Sequence, residues 1–217
     1  MFKDIKAAIF DLDGTLVDSM WVWSRIDDEF LKLHGHITPA NLNAEINHLS
    51  FTQTAQYFKE RFEINDSIET ILETWNTMAI NHYKKNVKLK PGVKEFLDKL
   101  KSNNISISLA TSNSQELLQA CLKSNGIYEY FDAITTTDEV TRGKNFPDVY
   151  LLAAEKMNVS PNNCAVFEDI LPAIRGAKAA NMKVFAVKDD ACVNTEEELV
   201  EYADMYIDSF TDILDLF

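Results

Sequence analysis

Short apolar runs alternate with longer amphipathic segments along most of the chain. In the segments, apolar residues recur every three or four positions, as at Val93, Phe96, Leu97 and Leu100, which is typical of helices packed on a core. The runs have the length of buried strands and lie at residues 7–10, 105–110, 133–136, 164–167, 184–187 and 205–207. Strands that alternate with helices predict an α/β fold, here a Rossmann-like parallel sheet flanked by helices.

One long interval interrupts this alternation. Between the first and second predicted strands the chain is far longer than a single crossover requires. Its apolar residues form three helical stripes, the first of which runs from Val22 to Leu33. The pattern therefore predicts a helical domain at residues 18–85, inserted after the first strand of a core domain formed by residues 1–17 and 86–217.

Composition narrows the kinds of partner. The 217 residues include 21 Lys and Arg against 34 Asp and Glu, which gives a net charge of −13. Such a surface repels phosphate backbones and anionic lipids, so we expect neither a nucleic acid nor a membrane as a partner. The cysteines form no C-x-x-C pair and no apolar run approaches the length of a membrane span, so we expect a cytoplasmic protein. A monomer is the default expectation for its oligomeric state.

Charged and hydroxyl side chains follow four of the predicted strands, at the point where each strand ends. They are Asp11 and Asp13 after the first strand, Thr111 and Ser112 after the second, Lys144 in the loop after the third, and Glu168 and Asp169 after the fourth. Each segment by itself is compatible with a solvated turn or an ordinary helix N-terminus. Because the carboxyl ends of parallel strands share one edge of a sheet, we expect these residues to converge at one site.

These residue types suit phosphoryl transfer through a carboxylate. Asp11, next to its strand, is the candidate nucleophile, and Asp13 is the candidate acid and base for the leaving group and the attacking water. Together with Glu168 and Asp169 they would crowd negative charge beside an anionic substrate, so the site needs a cation. Oxygen ligands with room for water indicate Mg²⁺.

Substrate binding requires positive charge and hydrogen-bond donors at the same edge. Lys144 supplies the charge, and we expect Thr111 and Ser112, with nearby backbone N–H groups, to hold the phosphoryl oxygens. A small phosphorylated metabolite is therefore the expected partner.

At these residues the chain resembles the haloacid dehalogenase-like (HAD) superfamily, in the β-phosphoglucomutase-like branch that has an all-helical cap after the first strand. The matching motifs are Asp11-Leu12-Asp13-Gly14-Thr15-Leu16-Val17-Asp18-Ser19, then Thr111, then Lys144 with Pro147-Asp148, and finally Val166-Phe167-Glu168-Asp169. The resemblance implies that Asp11 is the nucleophile, that Asp13 is the acid and base, and that the helical domain is a mobile lid. It also implies a set of Mg²⁺ ligands, namely the Asp11 carboxylate, the Asp13 backbone carbonyl and Asp169, with Glu168 nearby or acting through water.

Three positions depart from the usual pattern of this branch. Ile170 and Ala173 stand where the branch commonly has Ser and Gly after the fourth motif. Asn145 replaces a frequent proline after Lys144. None of these changes removes a group that the chemistry needs.

We expect a Mg²⁺-dependent phosphatase that acts on a small phosphate monoester, with sugar phosphates among the candidates. The presence of Asp13 argues against dehalogenase activity. Dehalogenation needs no proton for a leaving alkoxide, and dehalogenases of the family lack this second aspartate. A switch resembling the response-regulator receivers is an alternative from a different class, but the inserted helical domain has no evident use in a receiver.

A sugar phosphomutase of the β-phosphoglucomutase type is the other alternative. Mutases of this type carry a histidine at the start of the cap, where this chain has Trp23, and this difference favours hydrolysis. Histidines remain elsewhere in the inserted domain, at His34, His36, His48 and His82, but a lone histidine on a helix is more often a surface or packing residue.

Overall fold

The structure is a computed structural model that describes residues 3–46, 49 and 51–216, so His48 lies outside the described residues. The chain separates into two compact units. The core unit combines the chain up to Met20 with the chain from Val87 onward, and the helical unit is Trp21–Asn86. Each unit is described by itself below.

The described part of the core unit contains eight strands. They are β1 (Ala7–Phe10), β2 (Val17–Asp18), β3 (Lys88–Leu89), β4 (Ser106–Thr111), β5 (Ala133–Thr136), β6 (Cys164–Glu168), β7 (Lys183–Val187) and β8 (Met205–Ile207). Six of them form a parallel sheet in the spatial order β5-β4-β1-β6-β7-β8, while β2 and β3 form a short antiparallel ribbon. The chain runs outward from β1 through β4 to β5 and then returns to the other side of β1. This order is that of a doubly wound, Rossmann-like sheet, so the predicted fold class is confirmed.

Helices surround this sheet and make up the inserted unit. The helical unit contains α1 (Trp21–Leu33), α2 (Leu42–Ile46), α3 (Phe51–Arg61) and α4 (Ile68–Lys85). The core unit contains α5 (Val93–Ser102), α6 (Gln115–Ser124), α7 (Asp148–Lys156), α8 (Leu171–Ala179) and α9 (Glu196–Tyr202). Within the described residues, none of these helices has both the length and the apolar character that a membrane crossing requires.

Aromatic rings fix one face of the central strands. Phe10 on β1, Phe167 on β6 and Phe185 on β7 are neighbours in register, and their rings stack with centroids 4.7 and 4.8 Å apart. Phe96 from α5 packs edge-on against Phe167 at 5.3 Å, while the opposite face of the same strands packs on α7 and α8. Phe10 directly precedes Asp11, and Phe167 directly precedes Glu168. The packing of the two rings therefore fixes the backbone from which these acidic side chains extend.

The helical unit has an aromatic core of its own. Trp75 of α4 packs edge-on against Phe58 of α3 at 4.9 Å and against Phe30 of α1 at 5.5 Å. The prediction that Leu33 continues the apolar stripe of α1 is wrong, because its exposure is 70%. Leu33 is the last residue of α1, and the chain turns shortly afterwards at Gly35, where φ is 79°.

Candidate active site

The ends of three adjacent strands and one loop meet at the carboxyl edge of the sheet. Asp11 follows β1, Glu168 ends β6, and Lys144 comes from the loop after β5. The Lys144 Nζ lies 2.6 Å from Asp11 Oδ1 and also contacts Glu168 Oε1. Because β1 lies between β4 and β6, this is the point where the direction of chain progression reverses, the usual ligand site of such sheets.

Three carboxylates crowd this point. One oxygen from each of Asp11, Glu168 and Asp169 lies within 4.8 Å of the others, and all three side chains are buried. Burial, which disfavours the charged form, raises the pKa of Asp11, and the neighbouring Asp13 raises it further. Burial likewise raises the pKa of Glu168 to about 8 and that of Asp169 to about 7, with repulsion from Asp11 adding to both. The cluster is therefore short of positive charge.

Lys144 supplies one balancing charge. Burial by itself lowers the pKa of this ammonium, but the adjacent Asp11 and Glu168 carboxylates raise it above its ordinary value, so Lys144 is protonated. Tyr150 on α7 donates from its hydroxyl to Glu168 Oε1 at 2.8 Å, which orients the same carboxylate. The sequence shows Tyr150 only as an apolar-face residue of a helix, because its partner on β6 is not apparent from any local pattern.

The remaining acceptors fit a hard divalent cation. Among the described residues, Glu168 Oε2 is buried and has no hydrogen-bond partner, so this oxygen lacks the compensation that a buried polar atom needs. Asp169 Oδ1 accepts from Thr15 Oγ1 at 3.2 Å, and Gly14 leaves space beside Oδ2 that a Cβ would fill. An all-oxygen, anionic ligand set with an unsatisfied oxygen suits Mg²⁺.

Asp13 lies beside this cluster in a different environment. It is half-buried, and its carboxylate accepts from Ser19 Oγ at 2.6 Å and from Asn113 Nδ2 at 2.8 Å. These two donors orient the carboxylate without adding a full positive charge. The sequence assigns no role to Ser19 or Asn113, although Ser19 ends the first motif and Asn113 belongs to the polar segment that begins at Thr111.

Thr111 and Ser112 reach the same edge from β4. Thr111 is buried, and its Oγ1 accepts from the backbone N–H of Asn113 at 3.0 Å, which makes a tight turn after the strand. Ser112 is exposed in that turn. The structure thus brings all seven predicted site residues to one edge of the sheet, with Ser112 as the most exposed of them.

A glycine allows the Lys144 loop to approach helix α8. A Cβ on Gly176 would overlap the Lys144 carbonyl oxygen and would lie 2.9 Å from the Phe146 carbonyl oxygen. Both atoms belong to the backbone, so no side-chain rotation can relieve the overlap. The absence of a side chain at Gly176 therefore helps to place the Lys144 ammonium between its carboxylates.

Comparisons with known proteins agree with this arrangement. Residues 8–187 match the family model described as "Haloacid dehalogenase-like hydrolase". The phosphorylated carbohydrates phosphatase of Thermotoga maritima is 30% identical over 179 residues, which cover 82% of this chain and 83% of that protein. Hexitol phosphatase B of Escherichia coli (strain K12) is 28% identical over 213 residues, which cover 97% and 95% of the two chains. A crystal structure from Thermotoga maritima, provisionally named a beta-phosphoglucomutase, matches with a TM-score of 0.87 and 28% identity over 98% of both chains.

The contact at Gly176 makes a testable prediction. In a helix interior, Gly→Ala normally stabilises by about 0.5–1 kcal/mol. We expect Gly176→Ala instead to lower the free energy of unfolding by about 1 kcal/mol or more, because the Lys144 loop must move. Urea denaturation of both proteins measures the difference.

Ala179→Gly is the matched control in the same helix, because Ala179 is exposed. Because Ala179 is also the last residue of α8, this change should cost no more than the ordinary helix propensity of about 1 kcal/mol. A Gly176→Ala protein more stable than the parent would contradict the close approach of the loop.

Proposed function

The chain belongs to the haloacid dehalogenase-like hydrolases and is a phosphoric monoester hydrolase. We propose that it hydrolyses a small phosphate monoester, that it uses Mg²⁺, and that the reaction passes through an aspartyl-phosphate on Asp11. The alternative of a non-enzymatic receiver is excluded by this membership. The proposal concerns the cofactor, the intermediate and the substrate class.

The contact of Lys144 with both Asp11 and Glu168 is the observation that carries the proposal. A carboxylate must be ionised to attack phosphorus, and burial among other carboxylates opposes ionisation of Asp11. The adjacent ammonium, 2.6 Å away, opposes that effect and favours the charged form that the proposed nucleophile needs. The same ammonium provides the positive charge that an anionic substrate needs in a chain with a net charge of −13.

The residues then divide the reaction into two steps. In the first, an Asp11 oxygen forms a bond to phosphorus, the bond from phosphorus to the ester oxygen breaks, and Asp13 donates a proton to the leaving alcohol. In the second, Asp13 takes a proton from water, the water oxygen attacks the same phosphorus, and the Asp11–phosphate bond breaks to release phosphate. Ser19 and Asn113 keep the Asp13 carboxylate in place through both steps.

The proposed metal and phosphate contacts combine the carboxylate cluster with the ligand set that the family resemblance implies. Asp11, Asp169 and the Asp13 backbone carbonyl would hold Mg²⁺, with Glu168 beside them. When bound, Mg²⁺ supplies positive charge that offsets the carboxylates and the charge on the phosphoryl oxygens. Thr111, Ser112 and Lys144 would hold those oxygens from the other side, which completes the set of predicted site residues.

We further propose a phosphorylated sugar or sugar alcohol as the substrate. The support is the set of relatives, which include a phosphorylated carbohydrates phosphatase and a hexitol phosphatase. We propose that the helical unit is the cap predicted at residues 18–85. A cytoplasmic location is proposed from composition, and a monomer is kept as the default expectation.

A sugar phosphomutase is the alternative activity, favoured by the resemblance to the provisionally named beta-phosphoglucomutase structure. Trp23 opposes it, because its side chain has no group that can shuttle a proton and its ring packs edge-on against Phe51 at 5.3 Å. Hydrolysis therefore remains the preferred proposal.

Substitution of the two aspartates should separate the two steps. Asp11→Asn removes the nucleophile, so turnover of p-nitrophenyl phosphate should fall by about a thousandfold or more. Asp13→Asn should still release p-nitrophenolate, which leaves without a proton, but should stall before hydrolysis of the phosphoenzyme. Rapid-mixing absorbance should therefore show a burst close to the enzyme concentration in Asp13→Asn and none in Asp11→Asn.

Asp215→Asn is the control for a neutralised aspartate, because Asp215 is exposed near the C-terminus. It should leave turnover unchanged. Substantial steady turnover by Asp11→Asn would refute its role as the nucleophile.

Removal of metal should abolish the activity. Protein treated with EDTA and desalted should not hydrolyse p-nitrophenyl phosphate, and added Mg²⁺ should restore hydrolysis. Calorimetry without substrate should show Mg²⁺ binding that Asp169→Asn weakens by about tenfold or more, because a ligand oxygen is lost. Full activity in EDTA would refute the Mg²⁺ assignment. Equal Mg²⁺ affinity in Asp169→Asn and the parent protein would show that Asp169 is not a ligand.

The two candidate activities give different products from one substrate. With a hexose 1-phosphate and Mg²⁺, we expect inorganic phosphate and free hexose, because Trp23 offers no proton-transfer group for phosphoryl return. Phosphate release and hexose 6-phosphate formation can be followed together by chromatography. Formation of hexose 6-phosphate faster than phosphate release would establish the mutase instead.

A further inference from the structure

The ammonium group of Lys90 has three acceptors, which lie in two separate parts of the core unit. It donates to the Gly14 carbonyl oxygen, donates to the Lys188 carbonyl oxygen at 2.7 Å, and pairs with Asp189 Oδ2 at 2.7 Å. A lysine ammonium has three N–H bonds, so these acceptors use all of them. Lys90 follows β3 and precedes Pro91, and in the sequence it marks only the return of the chain to the sheet.

Burial distinguishes this ion pair from its surface neighbour. The side chains of Lys90 and Asp189 are 13% and 7% exposed, whereas those of the nearby pair Lys188 and Asp208 are 48% and 68% exposed. Exposed pairs contribute little because water screens them. A buried pair is different, since removal of one partner leaves an uncompensated charge in the protein.

The contact with Gly14 ties this pair to the first motif. Gly14 has φ at 79° and directly follows the proposed acid and base, Asp13. Its N–H donates to the Val17 carbonyl at 3.0 Å, and the Lys90 N–H donates to the Leu16 carbonyl at 2.9 Å. Lys90 therefore holds the turn after Asp13 through both its backbone and its side chain.

Asp189 brings a further negative charge toward the metal ligands. A Cβ on Gly14 would overlap Asp169 Oδ2 and would lie 3.5 Å from Asp189 Cγ, so the two carboxylates flank the same glycine. Asp189 is also fixed by the N–H of Ala191, which donates to its Oδ1 at 2.9 Å. Without a cation beside it, the Asp189 carboxylate would repel the Asp169 carboxylate and the nearby carbonyl oxygens of Gly14 and Lys188.

We propose that Lys90 is a positioning residue for the reaction, which locks the Gly14 turn and neutralises Asp189 so that Asp13 and Asp169 keep their places. This inference rests on the proposed phosphatase function. Lys90 does not touch the reacting atoms; it acts through the Gly14 peptide and through Asp189. The substrate phosphate is held by other residues, so Lys90 should affect the rate of the chemical steps more than substrate affinity.

The test compares three variants with a matched control. Lys90→Met removes the ammonium, Asp189→Asn removes the counter-charge, and the double variant removes both charges together. Lys188→Met is the control, because it removes a lysine from the exposed neighbouring pair. Each protein is assayed with p-nitrophenyl phosphate and Mg²⁺, and amide hydrogen exchange of residues 12–17 is measured without metal or substrate.

We expect Lys90→Met to lower kcat by about 10- to 100-fold while KM changes by less than about threefold. The double variant should recover at least about threefold in kcat over Lys90→Met, since it contains no unpaired buried charge. Exchange in residues 12–17 should be faster in Lys90→Met than in the parent and unchanged in Lys188→Met. A general loss of packing would not give a deficit that is relieved when the Asp189 carboxylate is replaced by a neutral amide.

Several outcomes would overturn the inference. They are a Lys90→Met kcat within twofold of Lys188→Met, equal kcat values for Lys90→Met and the double variant, or unchanged exchange in the turn. If Lys90→Met fails to fold, the double variant is compared with Lys188→Met instead. A lower kcat in the double variant at equal KM supports the inference, and equal kcat values in the two proteins overturn it. An inactive parent protein that also binds no Mg²⁺ would be a failure of the proposed function, which these comparisons distinguish from a failure of the role of Lys90.

Discussion

Repulsion among buried carboxylates is the constraint on which the rest of the structure depends. Asp11, Glu168 and Asp169 lie within one small volume, and burial raises the pKa of each. Such a cluster persists only where cations and donors offset it, because an isolated buried charge is strongly unfavourable. Lys144 offsets part of the charge directly, while Glu168 Oε2 is buried with no hydrogen-bond partner among the residues that the structure describes. The same charge imbalance is the physical basis of the proposed binding of a metal ion and a phosphate at this site.

Rigid strands and close backbone contacts hold the charged side chains of the site in position. Stacked phenylalanines fix β1 and β6 up to the residue before each carboxylate, so the acidic side chains have little freedom. The two buried lysines reach the site from loops, and each contacts backbone or carboxylate oxygens far away in sequence. Lys144 contacts the proposed nucleophile, Asp11, and the Lys90–Asp189 pair lies beside the turn after Asp13. Charge balance and backbone geometry are thus maintained by the same contacts.

Local pattern was sufficient to predict the sheet, its parallel direction and the convergence of the strand ends. Those features follow from hydrophobic periodicity and from the common edge of parallel strands, both of which can be read within short windows. The contacts that were not predicted join distant residues: Asn113 to Asp13 across 100 positions, and Lys90 to Gly14 across 76. Nothing near Lys90 in the sequence indicates that its ammonium is buried, and Asp189 is an ordinary acidic residue after a strand. Prediction therefore failed where the partner depends on how separate loops pack, not on local propensity.

A glycine in α8 lies where the Lys144 loop approaches the helix most closely. The branch commonly has glycine at the position of Ala173, which is fully buried here, and proline at the position of Asn145. In this chain a close approach occurs at Gly176, where the Lys144 carbonyl lies against the backbone of α8. A residue without a side chain can thus be essential to a charged site, because the position of the ammonium depends on how closely two backbones can approach.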